Sequence, residues 1–212
     1  MSPAPAEPLP PERFEALLAE ASPDPIRPLI EGGAALLAGY LTELDSWRRR
    51  INLTGDLSAH ELVEHTLEAV APAALIGHGE RLVDIGSGAG FPGLPLAIAR
   101  PDLDVSLVEP RGKRAAFLRH VLRALPVSNA KVIESRIEKV GGQTFGVATT
   151  RAVGDLPKIV GQAPFLEHGG LLLLWTTEPK ATAAELPDFR LEHVIPIPGT
   201  SRRAVAVLRK AG

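Results

Sequence analysis

Residues 81 to 93 read Arg-Leu-Val-Asp-Ile-Gly-Ser-Gly-Ala-Gly-Phe-Pro-Gly, and this stretch decides the fold class. A short apolar run ends at Asp84, three alternating glycines follow (Gly86, Gly88 and Gly90), and Pro92 opens an apolar segment with helical character. Glycines allow the backbone to turn tightly and to approach a ligand closely. A strand, a glycine loop and a helix N-terminus in this order predict the cofactor cradle of a doubly wound α/β sheet.

The glycine spacing distinguishes between cofactors. A dinucleotide fingerprint would place its third glycine at position 91, which is Phe91. The Asp84 carboxylate would also repel a pyrophosphate, whereas it suits a ligand with a cationic amine. S-adenosyl-L-methionine carries an ammonium group, a sulfonium centre and no phosphate, and residues 84–90 match the E/D-x-G-x-G-x-G loop of methyltransferases. The alternative is a glycine-rich turn that binds nothing, although so many glycines serve poorly as a mere connection.

The length and composition of the chain limit its class, its domain number and the kinds of site it can contain. The chain has 212 residues, 45% of them hydrophobic, which suits one domain with an extension. No stretch approaches the roughly 18 continuous apolar residues of a membrane span, and the N-terminus lacks the pattern of a signal peptide. The absence of cysteine excludes disulfides and a thiolate nucleophile, and the six histidines lack metal-ligand spacing. We therefore expect a cytoplasmic protein without a metal and without a membrane segment.

Charge is distributed unevenly along the chain. Residues 1–46 carry eight acidic and two basic side chains, whereas the remaining residues carry 17 acidic and 21 basic ones. A mildly cationic body permits a nucleic-acid substrate. Its basic residues form three groups, which would make an RNA footprint only if they converge on the carboxyl edge of the sheet. These groups are Arg48-Arg49-Arg50, Arg111 with Lys113 and Arg114, and Arg202-Arg203.

The apolar pattern divides the chain near residue 80. We expect a disordered Pro-rich tail over 1–11, an N-terminal helical extension over 12–78, and a cofactor-binding domain over 79–212. Helical spacing predicts helices over 12–21, 34–50, 59–76, 92–100, 111–125 and 156–167, the third with a capping box of Ser58 and Glu61. Short apolar runs predict buried parallel strands over 81–85, 103–109, 130–134, 145–149 and 170–175. Residues 189–197 and 204–209 flank Pro198-Gly199-Thr200-Ser201 as an antiparallel hairpin, which completes the seven-stranded, Rossmann-like α/β sheet of methyltransferases.

Polar residues after the predicted strands are the candidates for cofactor and substrate contacts. Glu109 ends the second strand, where a carboxylate accepts hydrogen bonds from both ribose hydroxyls; the alternative is a solvated acid that caps the helix before Arg111. Glu138 suits the adenine amino group and Ile137 the adenine ring, unless Glu138 is an ordinary surface acid. Arg151 follows the fourth strand, where an arginine binds a phosphate or the methionine carboxylate, or else forms a surface salt bridge.

Missing motifs narrow the reaction. Without cysteine, methylation of pyrimidine C5 through a thiol adduct is excluded. No Asn/Asp-Pro-Pro-Tyr motif occurs, and the single tyrosine, Tyr40, lies outside the predicted sheet, which argues against methylation of an exocyclic amine. A target that already exposes a lone pair, such as guanine N7, needs neither device and has no proton to lose before attack. Alignment of nitrogen, methyl and sulfur then supplies most of the acceleration, since effective molarities reach about 10⁵ to 10⁸ M.

Several motifs together resemble one family. They are residues 47–54 (Trp-Arg-Arg-Arg-Ile-Asn-Leu-Thr), His65, residues 83–98, Gly112-Lys113-Arg114 with Phe117-Leu118-Arg119, Ser135-Arg136-Ile137-Glu138, and Arg151-Ala152. In these motifs the chain resembles the glucose-inhibited division B family, the bacterial small-subunit rRNA guanine-N7 methyltransferases, over about residues 36–209. The resemblance implies methyl transfer from S-adenosyl-L-methionine to N7 of one guanine in 16S rRNA, free or within a 30S particle. We also expect a monomer. The resemblance places the cofactor contacts on Gly86, Phe91, Ile137, Glu138 and Arg151. From the glycine loop motif we expect Asp84 and Gly88 to contact the cofactor as well. Arg151 is also the candidate catalytic residue.

The chain departs from the family pattern in three places. The usual His-x-x-Asp-Ser is His65-Thr-Leu-Glu68-Ala69, Arg48 replaces an asparagine, and Leu174-Trp175-Thr176-Thr177 replaces an expected Lys-Gly. Two other functions stay open at this point. One is a methyltransferase that acts on a small molecule or a protein, and the other is a module that binds the cofactor without turnover.

Overall fold

Three α-helices precede the first strand in the part of the chain that the structure describes, residues 7–151, 160, 164–197 and 203–212 of a computed structural model. They are α1 (Pro11–Ala21), α2 (Arg27–Arg48) and α3 (Ala59–Val70). The predicted capping box is confirmed, because Ser58 Oγ accepts from the Glu61 amide at 3.2 Å and Glu61 Oε2 accepts from the Ser58 amide at 2.7 Å.

Two helix ends differ from the prediction. Helix α2 begins seven residues before residue 34, because Pro28 lies in its first turn, where an N–H would have no helical partner anyway. Helix α3 ends at Val70 rather than at 76, and a separate 3₁₀ turn follows over Ala73–Leu75. Pro72 between the two helices lacks the N–H that would continue the helix.

Seven strands form one sheet, as predicted. They are β1 (Arg81–Ile85), β2 (Asp104–Val108), β3 (Ala130–Ile133), β4 (Phe145–Arg151), β5 (Leu166–Thr176), β6 (Phe189–Pro196) and β7 (Ala204–Lys210). Their order is β3-β2-β1-β4-β5-β7-β6, and β7 runs antiparallel to both of its neighbours. The α/β fold class with an antiparallel C-terminal hairpin is confirmed, whereas residues 198–201 of the hairpin turn lie outside the described residues.

The connections contain helices α4 (Gly93–Ala99), α5 (Gly112–Ala124) and α6 (Pro179–Ala184). The sequence did not predict α6. The helix predicted over 156–167 lies mostly outside the described residues, except that Val160 is helical and that Leu166 already belongs to β5. Strand β5 thus begins four residues earlier than predicted. An irregular register between Leu166 and Leu171, with Gly169 at φ +73°, interrupts the apolar run there.

The sheet is buried on both faces, as short apolar parallel strands require. On one face, Phe14, Leu41 and Leu62 of the three N-terminal helices form a single hydrophobic cluster with Leu82 and Leu107 of the sheet. On the other face, a second cluster includes strand residues of β1, β2 and β4. Part of the predicted tail is attached to α2, since the Leu9 amide donates to Asp45 Oδ2 at 3.1 Å. The N-terminal helices are therefore packed where they can border a site at the carboxyl edge.

Candidate active site

The glycine loop connects the carboxyl end of β1 to α4. The amides of Gly86 and Ser87 both donate to the carbonyl of Val108, at 2.8 and 3.1 Å, so the loop is fastened to the end of β2. Gly86, Gly88 and Gly90 adopt φ values of +72°, +56° and +107°. These are left-handed conformations that side chains rarely adopt, so the turn depends on glycine at these three positions.

Asp84 lies fully buried behind this loop. Its Oδ1 accepts from Thr149 Oγ1 at 2.9 Å and its Oδ2 from the Gly93 amide at 3.2 Å. Burial raises the pKa of the Asp84 carboxyl to about 7, although hydrogen bonds to Ser87, Thr149 and Gly93 lower it. A Cβ on Gly93 would lie 2.7 Å from Asp84 Oδ2, so a glycine is needed at that position. The carboxylate is thus a buried charge site that a cationic ligand above the loop would stabilise.

Glu109 is also buried, directly after β2. Its Oε2 accepts from the Gly88 amide at 2.9 Å and its Oε1 from the Arg111 amide at 2.8 Å. The bond to the Arg111 amide agrees with the alternative that Glu109 caps the following helix. The side chain is not solvated, however, and its other oxygen is bonded to the glycine loop. Its predicted contact with a ribose stays a prediction.

Tyr40 of α2 is a site residue that the sequence reasoning missed. Its hydroxyl donates to the Ala89 carbonyl at 3.0 Å, and burial raises its pKa well above the ordinary value, so the phenol stays a neutral donor. The ring packs edge-on against Phe91 with centroids 5.6 Å apart, and His65 packs against Phe91 from α3 at 5.8 Å. Tyr40 lies on the same face of α2 as Leu37 and Leu44, and that spacing was the one available signal.

Arg151, the last residue of β4, belongs to a group of charged side chains that we call the arginine cluster: Glu68, Arg151, Arg203 and His65. Arg151 Nη2 lies 3.1 Å from Glu68 Oε2, and Arg203 Nη1 lies 2.9 Å from Glu68 Oε1. Among the described residues, nothing accepts a hydrogen bond from Arg151 Nη1, which is buried. Burial, together with the cations of Arg151 and Arg203, lowers the pKa of His65 to about 4, so that histidine is neutral at pH 7.

Ile137 and Glu138 lie in a 3₁₀ turn after β3. Ile137 is buried in the same hydrophobic cluster as Ile85 and Val108, the last residues of β1 and β2. Glu138 is exposed and lines a surface cleft of about 530 Å³ together with Arg81 and Thr144. The described residues give its carboxylate no hydrogen-bond or ion-pair partner. The structure therefore brings Ile137 to the sheet core but leaves Glu138 in solvent, and both adenine contacts stay predictions.

Two of the three basic groups meet beside the loop. Arg50, Ile51 and Asn52 line a cleft of about 550 Å³ with residues 111–114, and we call it the basic cleft. Arg114 reaches the loop, since its Nη1 lies 3.5 Å from where a Cβ on Gly88 would be. In the first group, Arg48 and Arg49 pair with Asp45 instead. In the third group, Arg203 joins the arginine cluster, whereas residue 202 lies outside the described residues.

Two further observations hold for the described ranges. Within them, no helix is both long and apolar enough to cross a bilayer. Nor do three or more metal-ligating side chains come together there as a metal site would require.

Solved structures with the same fold include methyltransferases. A SAM dependent methyltransferase from Aquifex aeolicus superposes with a TM-score of 0.54 at 14% identity, over 63% of this chain and 84% of that one. Ribosomal protein L11 methylase from Lactobacillus delbrueckii subsp. bulgaricus superposes with a TM-score of 0.59 at 10% identity, over 74% and 81%. At such low identities the likeness shows the fold alone.

Sequence relatives are much closer. The ribosomal RNA small subunit methyltransferase G of Xanthomonas oryzae pv. oryzae is 38% identical over 186 residues, which cover 84% of this chain and 87% of that protein. That of Roseiflexus castenholzii is 41% identical over 156 residues, 70% of this chain and 65% of the relative. This chain thus spans just under two thirds of the Roseiflexus protein. A family model described as GidB, rRNA small subunit methyltransferase G, matches residues 34–191. The chain therefore belongs to the GidB family of rRNA small subunit methyltransferase G proteins.

Proposed function

We propose that this protein transfers the methyl group of S-adenosyl-L-methionine to N7 of a guanine in 16S rRNA of the small ribosomal subunit. One observation carries the proposal: the glycine loop lies between two buried carboxylates, Asp84 behind it and Glu109 bonded to its Gly88 amide. Membership in the GidB family and the names of the relatives support the substrate. In this proposal residues 79–212 form the cofactor-binding domain, and residues 12–78 form the helical extension that borders the substrate.

The residues present fit adenosylmethionine. Glycines at 86, 88 and 90 hold left-handed conformations in the turn, and Gly90 also has no room for a side chain, because a Cβ there would lie 2.6 Å from Leu94 Cδ1. The buried Asp84 favours a cation at the methionine end. Glu109 is at the place where a carboxylate meets ribose hydroxyls in sheets of this kind. When bound, the cofactor supplies a methyl group on a cationic sulfur.

Each predicted contact residue then has a role. Asp84, Gly86 and Gly88 hold the methionine end, and Phe91 packs below it against Tyr40. Glu109 binds the ribose, while Ile137 and Glu138 face the adenine. Arg151 positions the substrate or the methionine carboxylate through the guanidinium nitrogen that the described residues leave without an acceptor.

The substrate side needs no strong base. Guanine N7 offers a lone pair and loses no proton before it attacks the methyl carbon, so alignment is the main task of the protein. The lowered pKa of His65, about 4, agrees with a reaction that needs no base, because a group with that pKa is a weak proton acceptor at pH 7. The basic cleft and the arginine cluster place cations on both sides of the loop, where they can bind RNA phosphates. The RNA is bound free or within a 30S particle, by a monomer, in the cytoplasm.

Labelled adenosylmethionine tests the proposal directly. The protein is incubated with 16S rRNA, or with small subunits that lack the modification, and the labelled base is mapped. Label on guanine N7 is the expected result. Label on an exocyclic nitrogen, on a small molecule or on protein would overturn the substrate assignment. Cofactor binding without any transfer would identify a binding module instead.

A further inference from the structure

Glu68 links two cations from separate strands. It lies in the last turn of α3, is only 5% exposed, and uses one carboxylate oxygen for each guanidinium. Arg151 ends β4, and Arg203 directly precedes β7. In the sheet order β5 lies between these two strands, so neither arginine could be fixed relative to the other by direct strand pairing.

The backbone of Glu68 is fixed as well. Trp175 of β5 donates a hydrogen bond from its Nε1 to the Glu68 carbonyl at 3.0 Å, and its side chain is buried. In the sheet register Trp175 pairs with Arg151 on one side and with Val205 on the other. Three neighbouring strands therefore converge on this one residue of α3 at the carboxyl edge of the sheet.

The charges of the cluster do not simply cancel. Within the cluster two guanidiniums face one carboxylate and His65 is neutral, while the exposed carboxylates of Glu61 and Glu64 lie beside it on α3. Burying such a group is a poor way to gain stability, because the desolvation of the charges offsets much of their attraction. It is an effective way to hold two long, rotatable side chains in one arrangement, since unpaired guanidiniums would repel each other.

We propose that Glu68 is a positioning residue whose carboxylate holds Arg151 and Arg203 as a fixed pair for a phosphate of the RNA next to the target guanine. The inference rests on the proposed methyl transfer to RNA. Arg151 Nη1, which has no acceptor among the described residues, is the donor that the pair presents to a phosphate oxygen. Glu68 itself touches neither cofactor nor RNA.

The test separates RNA binding from cofactor binding in the full chain. Glu68→Gln keeps the shape of the side chain and removes its charge. We expect the KM for rRNA to rise about tenfold, while the Kd for adenosylmethionine from calorimetry stays within about twofold. Glu68→Asp keeps the charge but shortens the side chain by one methylene. Its KM for rRNA should therefore lie between those of the natural chain and Glu68→Gln. In an Arg203→Ala background, Glu68→Gln should raise the KM by a smaller factor than it does alone, because only its hold on Arg151 is then left to lose.

A matched control removes a similar ion pair elsewhere. Asp102 pairs with Arg100 at 2.7 Å before β2, on the opposite edge of the sheet, so Asp102→Asn should lower the Tm without raising the KM for RNA. If Asp102→Asn raises that KM equally, or if the effects of Glu68→Gln and Arg203→Ala simply add, Glu68 is only structural. A parallel loss of cofactor affinity in Glu68→Gln would also overturn the inference.

Direct RNA binding keeps the two proposals distinguishable. Filter binding of rRNA to the natural chain and to Glu68→Gln requires no turnover. A tenfold difference in RNA affinity without methyl transfer by either protein would overturn the proposed function and support the positioning role. Equal RNA affinities, together with active methyl transfer to guanine N7, would support the proposed function and overturn the positioning role of Glu68.

Discussion

The Gly88 amide donates a hydrogen bond to Glu109 Oε2 over 2.9 Å, so the loop after β1 and the residue after β2 form one unit. The other oxygen of Glu109 accepts from the Arg111 amide at 2.8 Å. The carboxylate sets the loop conformation, and in the proposed function it also binds the ribose. Any change at Glu109 should therefore affect both the loop and the cofactor.

Glu109→Gln should weaken adenosylmethionine binding by at least about tenfold. A glutamine offers one acceptor oxygen where two amides donate, so its NH₂ group would face a backbone N–H, and hydrogen bonds to a charged acceptor contribute about 1.5–3 kcal/mol. Titration calorimetry measures the Kd. Glu192→Gln on the edge strand β6 is the control and should bind as the natural chain does, and an unchanged Kd in Glu109→Gln would contradict the ribose assignment.

Gly90→Ala should destabilise the protein, whereas Gly32→Ala should not. At Gly90 the φ is +107° and a Cβ would lie 2.6 Å from Leu94 and 3.2 Å from the Tyr40 hydroxyl. We expect a loss of about 2 kcal/mol or more in the free energy of unfolding. Gly32 lies inside α2, where an added Cβ would have no atom within 4 Å, so alanine there should be neutral or stabilising by up to about 1 kcal/mol. Urea denaturation of both variants checks the contrast.

The pKa of Asp84, about 7, predicts how stability depends on pH. Between about pH 4 and 7 the folded state keeps the Asp84 proton that the unfolded state has lost. The free energy of unfolding contributed by this group should therefore fall as the pH rises through that range, and level off above it. His65, with its lowered pKa, acts in the opposite direction over part of the range. The difference between the natural chain and Asp84→Asn isolates the carboxyl, and a difference that is flat with pH would contradict the raised pKa.

The affinity for adenosylmethionine should also depend on the ionisation of Asp84, but it should rise with pH where the stability falls. A cationic ligand favours the ionised carboxylate, so adenosylmethionine should bind more tightly as the pH rises from 6 to 8. Asp84→Asn should bind more weakly at pH 8 and lose this pH dependence. Calorimetry in buffers of different ionisation enthalpy also counts the proton released on binding, and its absence in the natural chain would argue against a cation near Asp84.

Arg114→Ala should reduce the salt dependence of RNA binding. If the basic cleft holds a phosphate, removal of one contact lowers the slope of log Kd against log salt by about 0.7 to 0.9. Arg81, which pairs with Glu167 at the amino edge of the sheet, provides the control Arg81→Ala with an unchanged slope. Equal slopes for both variants would show that the basic cleft does not bind an RNA phosphate.

The elements that were predicted well are those with a local cause. Strand β1 has the predicted bounds, because its apolar run is closed by the glycine loop, and α3 starts where the Ser58–Glu61 capping box puts it. The start of α2 was missed because Pro28 looks like a helix breaker unless its place in the first turn is known. The start of β5 was missed because an irregular pairing with β4 hides it.

The parts of the site that were not predicted depend on distant residues. Tyr40 reaches Ala89 across 49 positions of sequence, and Trp175 reaches Glu68 across 107. Neither distance has a periodic signature. The convergence of Arg50 with residues 111–114 likewise required the three-dimensional placement of α2 beside α5. Sequence patterns identified most of the residue types, whereas the tertiary fold decided which of them meet.

The position of Trp175 provides an optical reporter. The chain has only two tryptophans, and the other, Trp47, packs against Phe117 and His120. A Trp47→Phe variant would therefore emit from a single indole whose N–H is bonded to the Glu68 carbonyl. Its fluorescence would report, without any label, each event that disturbs the junction of α3 with the carboxyl edge of the sheet.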